Sequence, residues 1–501
     1  MRTLTLAQLA DWSDAMLLGD GDRRIEAIDI DSRAVRADSL FVALVGERHD
    51  GHDHAAQALA NGAVALLVSR PLETDAPQLV CGNTQVALGR IAAGMAATRA
   101  TKIIAITGSN GKTTVKSLTH QILTQGSAGT VGAAVGGEQR HAQVATPVAA
   151  NGRSYSSAAA ATPPRIYANP GNRNNEIGLP LALIEQPEDT DIGIYEMGAG
   201  QPGDIAYLTD IARPHIALVN NVAPAHLERM GSLLGVAETK GAIYGALRAG
   251  GTAVVNADDA FATWFEEWIG DARVLRFAME ASADVRAEHV HSDPDGSRFE
   301  LVTADARIDI ALPLPGRHNV MNALAAATLS LAAGASLAQV ASGLASASAV
   351  AGRLLRHTLA SGALLFDDSY NANPGSVGAA ISTLATHAAA GRETWLVLGD
   401  MKELGADAER LHAEVGERAR AAGIARLFTT GPLSAAASRA FAAGAQHFDD
   451  KDALIDVLRA GLSSQVVCLV KGSRSSAMER VVDALLPGAQ PARVHGGGHA
   501  A

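Results

Sequence analysis

The chain has 501 residues with 48% apolar content, more than one hydrophobic core organises, which predicts about two to four packed domains. Its formal net charge of −11 excludes a general nucleic-acid or anionic-membrane surface, so an anionic ligand must be held by local basic residues. Two distant cysteines, Cys81 and Cys468, give no disulfide framework and fit a reducing cytoplasm, and Asp11, Asp14 and Asp20 exclude a secretory leader over the first residues.

Residues 1–98 read as a small α/β unit. The stretch 25–30 alternates loosely, as a half-buried strand does, and 40–44 reads as a second strand. Asp31-Ser32-Arg33 lies between them, and a polar, glycine-bearing loop at 46–53, with Arg48, follows the second. Read alone, these are ordinary polar turns as readily as ligand loops.

From about residue 99 strands and helices alternate, which predicts a mostly parallel sheet. The run Ile103-Ile104-Ala105-Ile106-Thr107 is a buried strand by its β-branched, apolar composition. Gly108-Ser109-Asn110-Gly111-Lys112-Thr113-Thr114 follows and opens a helix. Strand, glycine loop, Lys-Thr and helix make a phosphate cradle. The glycines admit phosphate oxygens to main-chain N–H groups, Lys112 adds a charge, and the Thr113 hydroxyl suits Mg²⁺. Ile106 stands where the general pattern has its first glycine, so the match is the narrower Gly-x-x-Gly-Lys-Thr-Thr.

Residues 125–165 are rich in Ala, Gly, Ser and Thr without sustained periodicity, and read as a low-complexity surface insertion. An amide- and glycine-rich cluster spans 167–178 and includes Asn172, Asn174 and Asn175. Two strands are expected at 191–196, ending in Glu196, and at 215–220, followed by a loop with His226. Ligands of open α/β sheets sit beyond the carboxyl ends of strands. Thr113, Glu196 and His226 share that position, which suits Mg²⁺ beside a triphosphate. Lys240 falls on a predicted helix over 233–244, where it reads equally as a surface lysine. A strand at 252–256 precedes a β-rich excursion over 273–312. Residues 319–352 carry no charge but are too weakly apolar for a membrane span. Gly334 and the capping box of Ser336 and Gln339 divide them into two Ala-rich helices.

A third unit begins near 351. Strand-like runs at 364–368, 395–400, 426–430 and 466–470, separated by helical stretches, predict a Rossmann-like domain. Polar clusters follow them at 368–374, 399–405 and 471–475. The tail, 488–501, is rich in Gly, Ala and His, and His495 and His499 make no credible metal site. Only seven lysines occur, at 102, 112, 116, 240, 402, 451 and 471, so a lysine inside a motif is informative.

Six motifs, at 108–114, 171–178, 221–226, 316–322, 368–374 and 471–475, resemble the Mur ligases in order and spacing, over residues 25 to 486. The resemblance implies an α/β protein of three domains: a UDP-sugar-binding domain at 1–98, a central ATP-binding P-loop domain at 99–350, mostly parallel, and a Rossmann-like ligase domain at 351–487. It implies ATP-dependent ligation of D-alanyl-D-alanine to UDP-N-acetylmuramoyl-tripeptide through an acyl phosphate, in peptidoglycan precursor synthesis. By the same resemblance Gly108, Ser109, Asn110, Gly111, Lys112, Thr113, Thr114, Asn319, Asn322, Arg353 and Asp368 bind ATP. Thr113 and Glu196 bind one Mg²⁺, and His226 with a carbamylated Lys240 binds a second, so Lys112, His226 and Lys240 carry the catalysis. Ser32, Arg48, Asn172, Asn174, Asn175, Lys471 and Arg474 serve the substrates. A cytoplasmic monomer with small-molecule substrates, without nucleic acid or a membrane span, is expected. The alternatives are another Mur-type or folylpolyglutamate-type ligase, or a P-loop kinase or NTPase.

Overall fold

A computed structural model of the chain describes residues 1–125 and 163–486. The tail with His495 and His499, and all but the ends of the low-complexity insertion, lie outside the described residues. Elements counted below are those of the described residues.

Strand Lys102–Thr107 is third from one edge of a nine-stranded sheet, paired in parallel with Ile192–Glu196 on one side and Ile216–Val219 on the other. Its alternate residues serve two cores. Ile103 and Ala105 pack with Leu88, Ile91 and Leu208, while Ile104 and Ile106 pack with Leu118, Ile122 and Leu324. Burial on both faces is why the run is apolar throughout rather than alternating. The sheet is parallel from Ile166–Ala168 across to Val285–Asp293, and Gly296–Val302 and Arg307–Leu312 close it as antiparallel strands.

Chain order reverses at Lys102–Thr107, because the next strands lie to one side and Ile216–Val219 to the other. A crevice opens beyond the carboxyl ends of strands at such a reversal. The register sets what enters it: Glu196 pairs with Ile106 and Val219 with Thr107, so Glu196, Asn220 and the glycine loop reach the same edge.

The two Ala-rich helices are Arg317–Ala333 and Leu337–Ala345, with Gly334 in the left-handed region (φ 109°) between them and the Ser336–Gln339 capping box formed. No helix among the described residues is long and apolar enough to cross a membrane. Small residues bring both helices close to Lys112–Gln125, the helix carrying the cradle.

The first unit is a five-stranded sheet ordered Met16–Leu18, Gln78–Val80, Ala63–Val68, Ser39–Val42 and Ala27–Asp29, parallel except for Met16–Leu18. The single strand expected at 25–30 is two: Arg24–Ile25 pairs with Leu4–Thr5, and Ala27–Asp29 joins the sheet. Between them the Glu26 N–H turns aside to the Asp38 carbonyl at 2.8 Å. The third unit is a six-stranded sheet ordered Leu355–Thr358, Leu364–Asp368, Val466–Lys471, Glu393–Gly399, Arg426–Thr430 and Ala445–Phe448, parallel apart from Leu355–Thr358.

The close approach at Gly343 is testable. A Cβ there would collide with the Ile122 main chain, its N only 2.9 Å away. Gly343→Val is expected to lower unfolding free energy by about 1–3 kcal/mol through overpacking, read from the urea midpoint. An unchanged midpoint would show that the helices can separate without cost.

Candidate active site

The glycine loop is shaped by amides from neighbouring strands. Asn221 Oδ1 accepts the Asn110 N–H at 2.8 Å, and Asn220 Nδ2 donates to the Asn110 carbonyl at 2.9 Å and to Asn322 Oδ1 at 3.1 Å. Ser109 Oγ donates to the Ala223 carbonyl and accepts the Ala223 N–H. Gly108 (φ 150°) and Gly111 (φ 80°) take backbone conformations that L side chains avoid, and a Cβ at Gly111 would strike Asn322 and Asn220. Lys112 Nζ folds back onto the Gly108 carbonyl at 2.7 Å, and burial lowers its pKa against the opposing pull of Glu196.

Glu196 is 3% exposed and lies at the floor of the crevice. Thr113 Oγ1 donates to its Oε2 at 2.9 Å, Asn174 Nδ2 donates to its Oε1 at 2.8 Å, and Lys116 Nζ stands 3.5 Å from Oε2. Burial opposes ionisation, but Lys112 and Lys116, with the hydrogen bonds from Asn174 and Thr113, outweigh it and hold the pKa below the ordinary carboxylate value. An ionised carboxylate beside a hydroxyl is an oxygen donor set that fits a hard divalent cation.

A cavity of about 270 Å³ continues from the cradle into the third unit. Asn110, Gly111, Thr114, Asn319, Asn322, Arg353, Asp368 and Lys471 line it, together with His318, Asn221 and Asn256, which the sequence did not single out. Burial and then the Lys471 charge push His318 down to about 4, so a neutral imidazole faces the cavity. Lys471 Nζ donates to Asp368 Oδ2 at 2.7 Å; burial raises the Asp368 pKa and lowers that of Lys471, each offset by the other's charge. Arg353 Nη2 donates to Thr113 Oγ1 at 3.3 Å and stacks over the Tyr370 ring, with Arg474 also over that ring. Asn373 Nδ2 donates to Asn110 Oδ1 at 2.8 Å, a second link between the third unit and the cradle.

His226 takes a left-handed conformation (φ 54°) at the head of a short helix, Leu227–Met230. Its Nδ1 lies 2.6 Å from Oε2 of Glu403, an ion-pair distance without hydrogen-bond alignment, and Glu403 is itself left-handed (φ 61°). Glu403 was not visible as a site residue in the sequence. Lys240, on helix Leu233–Gly241, is 1% exposed, and burial, then the Lys112 charge, push its pKa down to about 7. The one cluster of three His and acidic side chains within 4.8 Å, among the described residues, lies elsewhere: Glu288, His289 and Glu300. Arg307 pairs with both glutamates there.

The remaining predicted residues divide. Asn172 and Asn175 line a cleft of about 500 Å³ with Asp29, Asp31 and Arg36 of the first unit, whereas Asn174 turns inward to Glu196. Ser32 is buried, donating to Gln57 Oε1 at 2.7 Å, and Arg48 is exposed on its loop. Lys471 joins the cavity beside Asn319, while Arg474 stays exposed near Tyr370. Lys116 is a further residue left unassigned by the sequence, although the scarcity of lysine is a signal.

Comparison with known proteins gives one answer. The Mur ligase family catalytic domain matches residues 24–103, the Mur ligase middle domain 106–330, and the Mur ligase glutamate ligase domain 352–474. The UDP-N-acetylmuramoyl-tripeptide–D-alanyl-D-alanine ligase of Escherichia coli K12 is 43% identical over 97% of this chain and 99% of its own. The crystal structure of MurF from Acinetobacter baumannii is similar with a TM-score of 0.84 at 29% identity, covering 97% of this chain and 99% of that one. MurF of Thermotoga maritima, solved in complex with ADP, has a TM-score of 0.77 at 25% identity, covering 92% and 97%. With three successive family domains and near-complete coverage by such a relative, the chain belongs to the Mur ligase family.

Proposed function

We infer that this chain joins D-alanyl-D-alanine to the terminal carboxylate of UDP-N-acetylmuramoyl-tripeptide, at the expense of ATP, in peptidoglycan precursor synthesis. The observation that carries the reading is one crevice in which the phosphate cradle, the Thr113–Glu196 pair and the Asp368–Lys471 pair of another unit converge. A carboxylate resists an amine until one of its oxygens becomes part of a leaving group. Transfer of the γ-phosphoryl group makes the acyl phosphate. The dipeptide amine then forms the C–N bond as the C–O bond to phosphate breaks, and the amine proton is released.

The chain's own residues bind and position. Lys112 and the loop amides hold the phosphates, Asn319 and Asn322 face the adenine end, and Arg353 and Asp368 the rest of the nucleotide. Thr113 and Glu196 would hold one Mg²⁺, and His226 with a carbamylated Lys240 a second, supplying neutralisation of phosphoryl charge. Burial of Lys240 supports the second assignment, because an amine with a pKa near 7 is about half deprotonated at neutral pH, whereas an ordinary lysine is almost wholly charged, and the neutral amine can add to CO₂. We assign UDP-sugar binding to residues 1–98, with Ser32 and Arg48 toward the uridine. ATP binding falls to 99–350, with Asn172, Asn174 and Asn175 toward the peptide arm. Dipeptide reception falls to 351–487, with Lys471 and Arg474. A cytoplasmic monomer is the proposed form; both cysteines are free.

The direct experiment supplies ATP, UDP-N-acetylmuramoyl-tripeptide and, in turn, D-alanyl-D-alanine, single amino acids and glutamate. Ligation is expected with the dipeptide alone, and preference for another amine would move the chain to a different branch. Lys112→Ala is expected to lower kcat by about 100-fold or more with circular dichroism unchanged, since a charge aimed at the phosphates is lost; near-normal turnover would sink the cradle assignment. Lys240→Ala is expected to be nearly inactive and partly restored by formate or acetate, which replace the missing oxygens. ¹³CO₂ labelling should give a carbamate carbonyl signal in the wild type that Lys240→Ala lacks. Full activity in the variant and no labelled carbamate would leave Lys240 an ordinary buried lysine.

A further inference from the structure

Lys116 lies one helical turn beyond Lys112, and apart from its charge beside Glu196 it has no role assigned above. It is 7% exposed on helix Lys112–Gln125. Its Nζ donates to the main-chain carbonyls of Asn169 at 2.8 Å and Gly171 at 3.2 Å, and lies 3.5 Å from Glu196 Oε2. A buried ammonium carries a large desolvation penalty, and an apolar side chain of similar volume fills such a position at lower cost. What the ammonium contributes therefore lies in the groups it touches.

Those groups begin the loop that carries the candidate substrate amides. Asn169 stitches the loop to the crevice floor: its Nδ2 donates to the carbonyls of Arg173 and Glu196, and its Oδ1 accepts the Glu196 N–H. Beyond Gly171, Asn172 and Asn175 reach the cleft shared with the first unit, and Asn174 reaches Glu196. One rigid helix thus grips the phosphate loop with Lys112 and the amide loop with Lys116, about 6 Å further along its axis at 1.5 Å per residue.

We propose that Lys116 is a positioning residue that sets the distance between the phosphate cradle and the 171–178 loop, and so places the acceptor carboxylate in line with the transferring phosphoryl group. The proposal rests on the ligase reading above. In-line transfer tolerates little misplacement: about 1 Å costs on the order of 100-fold in rate. The ammonium touches the loop's main chain and Glu196 rather than a phosphate, so its loss should act on the peptide-bearing substrate and on turnover, and spare the binding of metal-free nucleotide.

The test is Lys116→Met, with Lys116→Gln as the variant that retains a neutral donor. In Lys116→Met, kcat/KM for UDP-N-acetylmuramoyl-tripeptide is expected to fall about 100-fold, while the Kd for ADP, measured by calorimetry without Mg²⁺, stays within about twofold of wild type. Lys116→Gln is expected to show the same split with a smaller loss, because its amide still reaches the carbonyls; should Lys116→Met fail to fold, the split is read from Lys116→Gln. Parallel loss of ADP affinity and peptide-substrate efficiency in a folded variant would place Lys116 in the nucleotide site and overturn the proposal, as would wild-type values for both. A wild type that binds ADP but does not ligate the dipeptide would instead overturn the ligase reading.

Discussion

The carboxylate of Glu196 is where the architecture and the chemistry meet. It ends a strand buried on both faces, so water cannot solvate it, and an isolated charge there would cost several kcal/mol. Thr113, Asn174 and the ammonium groups of Lys112 and Lys116 replace that water. These partners come from the cradle helix and the amide loop. Keeping Glu196 ionised therefore requires that both be docked on the same strand end, and a fully satisfied network of this kind specifies one geometry. The strand order supplies the opening above it, because Lys102–Thr107 sits where the chain reverses direction across the sheet.

The third unit meets this centre through a few polar contacts: Asn373 to Asn110, Arg353 to Thr113, and Glu403 beside His226. Each such bond contributes only about 0.5–1.5 kcal/mol net. The contact is therefore weak beside the apolar cores within each unit, where one fully buried Leu or Ile stabilises by roughly 1.5–3 kcal/mol. A ligand that touches both Asn319 and Asp368 binds only the arrangement that brings them to one cavity. Its binding energy then favours that arrangement.

The central unit was readable because its signals are local. An uninterrupted β-branched run, glycines at fixed spacing and a Ser–Gln capping box each act within a few residues, and each appears where expected. Strand Ala63–Val68 is not legible in the sequence, since a six-residue run of Ala, Val and Leu has no periodicity that separates strand from helix. The division at Glu26 was also hidden, because it is set by the Asp38 carbonyl on another segment. The crevice followed the same rule. The meeting of Thr113 and Glu196 is legible in their strand-end positions, whereas Glu403 and Asn373 reach the crevice only through contacts between units, at sequence separations no local pattern reports.

Two buried lysines show why residue type alone does not assign a role. Lys116 is surrounded by acceptors, two carbonyls and a carboxylate; burial lowers its pKa, and the Glu196 carboxylate opposes that by stabilising the charged form. Lys240 is more deeply buried, forms no ion pair among the described residues, and has as its charged neighbour another lysine, Lys112, which pushes it further toward neutrality. A neutral amine is a nucleophile and a cation is not. The same side chain is therefore held as a donor where acceptors converge, and is pushed toward the neutral amine where it is buried beside a like charge. In a chain with only seven lysines, that difference in surroundings separates Lys116, bonded to two carbonyls beside a carboxylate, from Lys240, buried with a like charge as its neighbour.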